Sequence, residues 1–197
     1  MSLPLPTPAM LLAFMFAGEI LLMRSRLSGD AARTADRGSL RMLVVVIAAS
    51  VTLAWLVARI FPQGRVDALF ALDPGAMRRL YLAGLGLFAA GLGLRWYSMA
   101  WLGRAFTYDV AVAADQQVIA SGPYRYIRHP AYTGSLLSFV GLGVCGGNLV
   151  SLAVLVVPIV LAFLHRIVIE EVALTAALGS RYADYAGRTQ RLIPFLY

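Results

Sequence analysis

Long apolar runs alternate with short polar segments along the chain. The apolar runs cover residues 8–23, 42–61, 80–102, 132–144 and 149–169. An α-helix needs about 20 residues to cross the roughly 30 Å hydrocarbon core of a bilayer. The pattern therefore predicts an all-α polytopic membrane protein with about five transmembrane helices, the fourth of which must begin earlier in the chain to cross. No positively charged segment precedes the first run, so we interpret it as a span and not as a signal peptide.

Glycine and proline add detail to this pattern. The segment from Gly141 to Asn148 lies between the last two runs and is rich in glycine, which predicts a turn and a tight C-terminal helical hairpin. Pro158, inside the last run, predicts a kink or a broken hydrogen bond in that helix. The third run carries a set of small residues that favours close helix packing over a ligand groove: Gly84, Gly86, Gly91 and Gly93.

The composition restricts the class of protein. Hydrophobic residues make up 60% of the 197 residues and charged residues 14%, against about 45–50% and 25% in globular domains. The mean hydropathy is +0.75. These values exclude a disordered chain, a secreted disulfide scaffold and a typical cytosolic enzyme. The single cysteine, Cys145, excludes an intramolecular disulfide and a cysteine-based metal cluster, and we expect it to serve packing.

The net charge of +7 comes entirely from arginine as the basic residue. Because the arginines lie between apolar runs and form no continuous stripe, we expect them to orient the chain in a membrane and not to bind nucleic acid. With five crossings, twelve arginines lie on one side and four on the other. The positive-inside rule then places the N-terminus outside and the C-terminus in the cytoplasm. The arginine-only composition, rich in Ala and Gly, points to a GC-rich prokaryote and its inner membrane.

Charged residues also occur inside the predicted spans, among them Glu19 and Arg95. Glu19 lies near the cytoplasmic end of the first run and Arg95 near that of the third. Ionisable residues inside a membrane are costly and often functional. We expect Glu19 to pair with Arg24 or to reach the interface, and Arg95 to extend to the interface as well.

Two polar clusters, residues 121–134 and 165–194, flank the predicted hairpin on its cytoplasmic side. Pro130 fits the first position of a helix, whose free amides favour an oxygen ligand. Arg166 and Glu170 are four residues apart and share one helix face, and Gly179 is a natural helix stop. Simpler interpretations remain open at this point: interface arginines, an aromatic belt of tyrosines, and an ordinary Arg166–Glu170 salt bridge.

The spacing of these polar residues resembles that of a known family. The motifs are Gly122-Pro-Tyr-x-x-x-Arg128-His129-Pro130-x-Tyr132-x-Gly134, Arg166-x-x-x-Glu170-Glu171-x-x-Leu174, Leu178-Gly179-x-x-Tyr182-x-x-Tyr185 and Arg191-Leu-Ile-Pro194. Together they resemble the isoprenylcysteine carboxyl methyltransferases and their prokaryotic relatives, which are similar to the phospholipid N-methyltransferases. The resemblance covers about residues 109–197.

The resemblance implies a single integral membrane domain over residues 1–197, with three N-terminal spans in 1–102 and a catalytic part in 103–197. It implies a cytoplasmic pocket for S-adenosyl-L-methionine, built from the loop before the hairpin and the helix after it. The positions that match cofactor-binding positions are Gln116, Gln117, Val118, Ile119, Tyr124, His129, Pro130, Ala131, Tyr132 and Glu170. Arg166 matches a substrate-binding arginine, and Arg166 and Glu170 are the candidate catalytic residues.

The expected reaction is methyl transfer to a lipophilic acceptor that enters between the helices, above all a carboxylate of isoprenylcysteine type. A carboxylate needs no base, and Arg166 can hold it by two parallel hydrogen bonds. An amine or thiol acceptor, as in a phospholipid N-methyltransferase or a small-thiol S-methyltransferase, needs proton removal. The candidates for this role are His129, His165, Glu170, Glu171 and a tyrosine. An NADPH-dependent sterol-type reductase and a non-catalytic membrane partner are the alternatives of another class. No metal is expected.

Overall fold

The computed structural model describes residues 5–23, 36, 38–106, 108, 117–194 and 197. Within these residues every regular element is a helix, which confirms the predicted all-α class. The elements are α1 (Pro8–Met23), α2 (Ser39–Ile60), α3 (Val66–Phe70), α4 (Pro74–Leu102), α5 (Pro130–Gly146), α6 (Leu149–Leu178) and α7 (Ser180–Ala186).

Two helices extend beyond the apolar runs that predicted them. α4 begins at Pro74 and not at residue 80, because the Asp73 side chain caps it by accepting a hydrogen bond from Ala76 N (2.9 Å). α6 continues through Pro158 and past residue 169 until Gly179, whose φ of 59° ends it. The extension places the Arg166 and Glu170 positions on one continuous helix.

α4 and α5 pack together through small residues on both sides. A Cβ atom added to Gly91 would lie 2.5 Å from Ser138 N, and one added to Gly141 would lie 2.4 Å from Phe88 N. These are backbone atoms, which cannot move aside. Gly84 and Gly91 therefore serve helix packing, as the sequence predicted, whereas a Cβ on Gly86 or Gly93 would have no neighbour within 4 Å.

The glycine-rich segment before α6 is mostly helical. Gly141 and Gly143 belong to α5, and the turn is confined to Gly147, with a φ of 63°, and Asn148. The predicted turn over 141–148 was thus too long. Gly141 is typical of a loop in sequence, but here it lies in a helix and is required because the backbone of α4 passes close to it. The Asn148 Nδ2 donates to Phe61 O (2.9 Å) and so holds the end of α2 near the start of α6.

α2 packs along α6, α5 lies between α4 and α6, and α1 contacts α5. Two helices of the described chain, α2 and α6, are long and apolar enough to cross a membrane, and α1 is a shorter apolar helix. Large apolar side chains face outward on all three, among them Leu21, Val45 and Leu161. An outward apolar surface is typical of helices that face lipid.

Candidate active site

One cavity of about 450 Å³ is lined by residues from the ends of several helices. It is bordered by the second half of α1, the start of α2, the end of α4, the start of α5, the second half of α6, and α7. Most of the residues predicted from the motifs line it: Gln117, Val118, Ile119, Tyr124, His129, Ala131, Tyr132, Arg166 and Glu170. Pro130 is buried as the first residue of α5 but does not line the cavity. Gln116 lies outside the described residues.

Arg166 is the most deeply placed charged group of this cavity, with 2% of its surface exposed. Its Nη1 donates to Asp36 Oδ1 (2.8 Å) and to Ser39 Oγ (2.7 Å). Its Nη2 donates to the Tyr108 carbonyl. A buried guanidinium requires such compensation, because an unpaired charge away from water is costly. Asp36 supplies the opposite charge from the start of α2.

Tyr132 links Arg166 to Glu170. Its hydroxyl accepts from Arg166 Nε (3.0 Å) and donates to Glu170 Oε2 (2.6 Å). Among the described residues, Arg166 and Glu170 form no direct ion pair. The simple i,i+4 salt bridge considered from the sequence is therefore absent there, and the Tyr132 hydroxyl connects the two side chains instead. The same ring stacks on His129, with centroids 5.4 Å apart and planes 5° apart.

His129 lies against both glutamates of α6. Its Nε2 is 3.2 Å from Glu171 Oε1, and its Nδ1 is 3.9 Å from Glu170 Oε2. The residues before α5 and those near the end of α6 therefore meet, as the motifs predicted. Glu171 also accepts from Arg128 Nε (2.8 Å) and from Arg191 Nε (2.9 Å), which binds the C-terminal segment to the site.

Two carboxylates that contact cavity-lining residues, Glu171 beside His129 and Asp36 beside Arg166, are held in their ionised form. Glu171 lies beyond residue 169, where the predicted span ends. Its burial opposes ionisation, but hydrogen bonds from His129 and Arg128 outweigh burial and bring the pKa of the Glu171 carboxyl down to about 2. Burial also opposes ionisation of Asp36, yet the Leu40 N–H and the Arg166 charge lower the pKa of the Asp36 carboxyl below its ordinary value.

A second ion pair, between Arg95 and Glu19, also lines the cavity. Arg95 of α4 donates from Nε and Nη2 to the two carboxylate oxygens of Glu19 on α1 (2.7 and 2.5 Å), and its Nη1 donates to Ser135 Oγ (2.8 Å). The prediction that Arg95 extends to the interface was wrong, because Arg95 pairs with Glu19 inside the bundle. Arg24, the partner expected for Glu19, lies outside the described residues. The two residues are 76 positions apart, and only the packing of α1 and α4 around α5 brings them to one depth.

Sequence reasoning missed several residues of the site. Tyr182 and Tyr185 line the cavity and belong to a quoted motif, so their spacing was an available signal. The buried Tyr182 hydroxyl has no hydrogen-bond partner in the described structure. Asp36, Ser39 and Tyr108 carry no motif and are brought in by the fold alone. His165, in contrast, is exposed and does not line the cavity, and Cys145 is buried in packing.

A sequence model of the phospholipid methyltransferases matches residues 80–181, more than half of the chain. The chain belongs to the phospholipid methyltransferase family. Of the two enzyme classes considered from the sequence, this assignment favours the methyltransferases over the sterol-type reductases. The match covers α4, α5, α6 and the start of α7, and so contains Arg95, Tyr132, Arg166 and Glu170.

Individual relatives of this family member include eukaryotic and bacterial proteins. Protein-S-isoprenylcysteine O-methyltransferase B of Arabidopsis thaliana is 31% identical over 127 residues, 62% of this chain and 64% of that protein. The Schizosaccharomyces pombe protein-S-isoprenylcysteine O-methyltransferase is 31% identical over 57% of this chain and 48% of its own length. The cobalt-zinc-cadmium resistance protein CzcN of Cupriavidus metallidurans is 33% identical over 53% and 49%. The chain thus spans less than two thirds of each of these relatives.

The fold of this phospholipid methyltransferase family member also occurs in a solved structure. The eukaryotic intramembrane Ras methyltransferase, an isoprenylcysteine carboxyl methyltransferase, matches with a TM-score of 0.65 and 20% identity, over 98% of this chain and 70% of that chain. The sequence family and the shared fold together confirm the resemblance seen in the motifs. The chain is therefore a membrane protein of a methyltransferase family.

Proposed function

We propose that the chain is an S-adenosylmethionine-dependent methyltransferase that methylates a carboxylate of a lipophilic, isoprenylcysteine-type acceptor. The observation that supports this is a single cavity lined by both polar and apolar side chains. Glu170, His129 and Arg166 line it, and so do apolar side chains of α1 and α2, including Met15, Phe16, Leu43 and Ile47. We refer to these two groups of lining residues as the polar end and the apolar end. A polar donor and an apolar acceptor chain need this combination.

The cavity suits S-adenosylmethionine by the charge of its polar lining residues and by its total volume. A cavity of about 450 Å³ lies within the usual range of small-molecule sites. Among the described residues, the only basic side chain within 4.0 Å of the Glu170 carboxylate is His129, whose Nδ1 is 3.9 Å from Glu170 Oε2. When bound, S-adenosylmethionine supplies a methyl group on a positively charged sulfonium sulfur. Glu170 would hold a cationic part of it, and the unpartnered Tyr182 hydroxyl would hydrogen-bond to a polar atom.

Arg166 would orient the acceptor. An ionised carboxylate is already nucleophilic, so the protein needs to align it and to exclude water, and alignment alone contributes several kcal/mol. The guanidinium lies next to the Tyr132–Glu170 pair in the same cavity. Its position allows it to hold an acceptor oxygen close to the residues proposed to bind the donor.

The apolar end suggests how a lipid reaches the site. Ile20 of α1 and Val44 of α2 line the cavity and are also exposed on the outer surface of the bundle. We therefore propose lateral entry between α1 and α2. The arrangement proposed for the whole chain is five spans in a prokaryotic inner membrane, with the N-terminus outside and the site facing the cytoplasm.

An amine acceptor is the second candidate, because the matched family is described as phospholipid methyltransferase. An ammonium group must lose a proton before it attacks. His129, buried beside Glu170 and Glu171, is the residue placed to accept it. The exposed position of His165 removes that residue from consideration.

The test is methyl transfer by the purified full chain with tritiated S-adenosylmethionine. N-acetyl-S-farnesyl-L-cysteine and phosphatidylethanolamine serve as acceptors in separate reactions. The proposal expects a base-labile methyl ester on the first. Labelled phosphatidylethanolamine with no ester would favour the amine candidate, and transfer to neither acceptor, together with no heat of binding for S-adenosylhomocysteine, would refute both.

A variant pair tests the role of Glu170 in binding. Glu170→Gln should weaken S-adenosylhomocysteine binding at least tenfold in titration calorimetry, a loss of about 1.4 kcal/mol. Asp67→Asn makes the same chemical change in the exposed Arg65–Asp67 pair on the α3 side of the bundle and should leave the affinity unchanged. Equal affinities of Glu170→Gln and the wild type would contradict the assignment.

A further inference from the structure

We propose that Asp36 occupies the place of the acceptor carboxylate on Arg166 and must be displaced when an anionic acceptor binds, so that Asp36 sets the affinity for such acceptors. The inference rests on the proposed function, since it assumes that Arg166 receives the acceptor. It concerns a residue outside the family motifs, in the segment before α2. The role is one of specificity, because Asp36 competes with the acceptor and not with the cofactor.

The hydrogen bonds of Arg166 show that its binding edges are already occupied. A guanidinium has five N–H groups, and a carboxylate is held in a bidentate manner by two adjacent ones. Four of the five have acceptors: the Tyr132 hydroxyl on Nε, Asp36 and Ser39 on Nη1, and the Tyr108 carbonyl on Nη2. The remaining Nη2 hydrogen has no acceptor among the described residues. A second carboxylate therefore cannot be held by two bonds unless one partner leaves.

Asp36 is the partner suited to leave. Tyr132 is fixed by its bond to Glu170, and the Tyr108 acceptor is a backbone carbonyl. Asp36 alone carries the same charge and the same two-oxygen group as the proposed acceptor. Exchange of one carboxylate for another leaves Arg166 with a single negative partner, whereas displacement of a neutral partner would leave two carboxylates beside one buried guanidinium.

The surroundings of Asp36 also stabilise it without Arg166. Its Oδ1 accepts from Ser39 Oγ (2.9 Å), and its Oδ2 accepts from Leu40 N (3.0 Å). Both donors belong to the first turn of α2, where the helix dipole favours a negative charge. A shift of the carboxylate away from Arg166 therefore leaves two hydrogen bonds and a favourable field in place. The Asp36 carboxylate can therefore move away from Arg166 and still keep its hydrogen bonds to Ser39 and Leu40.

The Asp36→Asn variant tests this directly. Asparagine keeps the shape and one acceptor oxygen but removes the competing charge. We expect N-acetyl-S-farnesyl-L-cysteine to bind about tenfold more tightly than to the wild type, measured by thermophoresis with S-adenosylhomocysteine present, and its KM to fall in parallel. The methyl ester of the same compound, which lacks the charge, should bind both proteins equally. A purely structural role of Asp36 predicts weaker binding of both compounds.

Two further variants secure the comparison. Asp36→Glu retains the charge and should bind the carboxylate no more tightly than the wild type. Asp36→Ser keeps an oxygen acceptor near the helix start and takes the place of Asp36→Asn if that variant is not monodisperse in detergent. Asp67→Asn is the matched control for a charge change away from the cavity. Unchanged or weaker carboxylate binding by the uncharged Asp36 variants would overturn the inference.

Failure of the proposed function has a different signature. If the wild type neither binds nor methylates N-acetyl-S-farnesyl-L-cysteine, the acceptor class is wrong. Dodecanoate and dodecanol then replace the two prenyl probes in the same binding assay. Tighter binding of dodecanoate, but not of dodecanol, by Asp36→Asn would still support the exchange at Arg166, and absence of any such preference would refute it.

Discussion

Replacing Glu171 by glutamine tests how the C-terminal segment is fastened to the site. The carboxylate is 13% exposed and receives Arg128 Nε and Arg191 Nε on its two oxygens, at 2.8 and 2.9 Å, and lies 3.2 Å from His129 Nε2. Glutamine keeps one acceptor oxygen and turns an amide toward a cationic donor. The loss of a charge-assisted bond contributes about 1.5–3 kcal/mol, and the buried Arg128 loses its countercharge. We expect the free energy of unfolding to fall by about 3 kcal/mol.

Thermal unfolding of the detergent-solubilised protein, followed by tryptophan fluorescence, measures this loss. For a chain of this size, about 3 kcal/mol corresponds to a Tm decrease of about 6–12 °C. Asp67→Asn, in an exposed ion pair, is the control and should leave Tm unchanged. A Tm decrease below about 2 °C for Glu171→Gln would refute the reasoning.

The pH dependence gives an independent check of the same residue. The pKa of the Glu171 carboxyl is about 2 in the folded chain, against an ordinary value of 4.5. A lowered folded-state pKa stabilises the protein in full above about pH 4.5, and this stabilisation is lost as the pH falls through about 2. The Tm difference between the wild type and Glu171→Gln should be constant from pH 8 to 5 and shrink below pH 4.5.

Three further outcomes are expected. Gly91→Ala should reduce stability by about 1–3 kcal/mol, because its Cβ meets backbone atoms of α5, whereas Gly93→Ala should be neutral or stabilising in the same unfolding assay. Tyr132→Phe removes the hydroxyl between Arg166 and Glu170 and should lower kcat/KM for N-acetyl-S-farnesyl-L-cysteine at least tenfold, with a decrease in Tm as well, because the buried Arg166 Nε loses its acceptor. His165→Ala should leave methyl transfer unchanged, since that side chain lies outside the cavity, and a tenfold loss would contradict this placement.

The helices followed closely from the apolar runs, and their ends did not. α1 coincides with the first run, because length and hydropathy are properties of contiguous residues. The start of α4 was placed six residues late, since Arg78 and Arg79 interrupt the hydropathy while Asp73 and Pro74 provide the actual start. A search for apolar stretches does not detect the polar turns by which a helix extends past the apolar run.

The sequence by itself determined the helical class, the packing role of Gly84 and Gly91 in α4, and the meeting of His129 with Glu170, because each depends on local spacing or on a recognisable motif. The tertiary structure decided the partners of the buried charges. Asp36 reaches Arg166 across 130 positions, and Glu19 reaches Arg95 across 76. Buried ions pair with whichever opposite charge the packing brings to the same depth, and that depth is a property of the assembled helices and not of any segment of the chain.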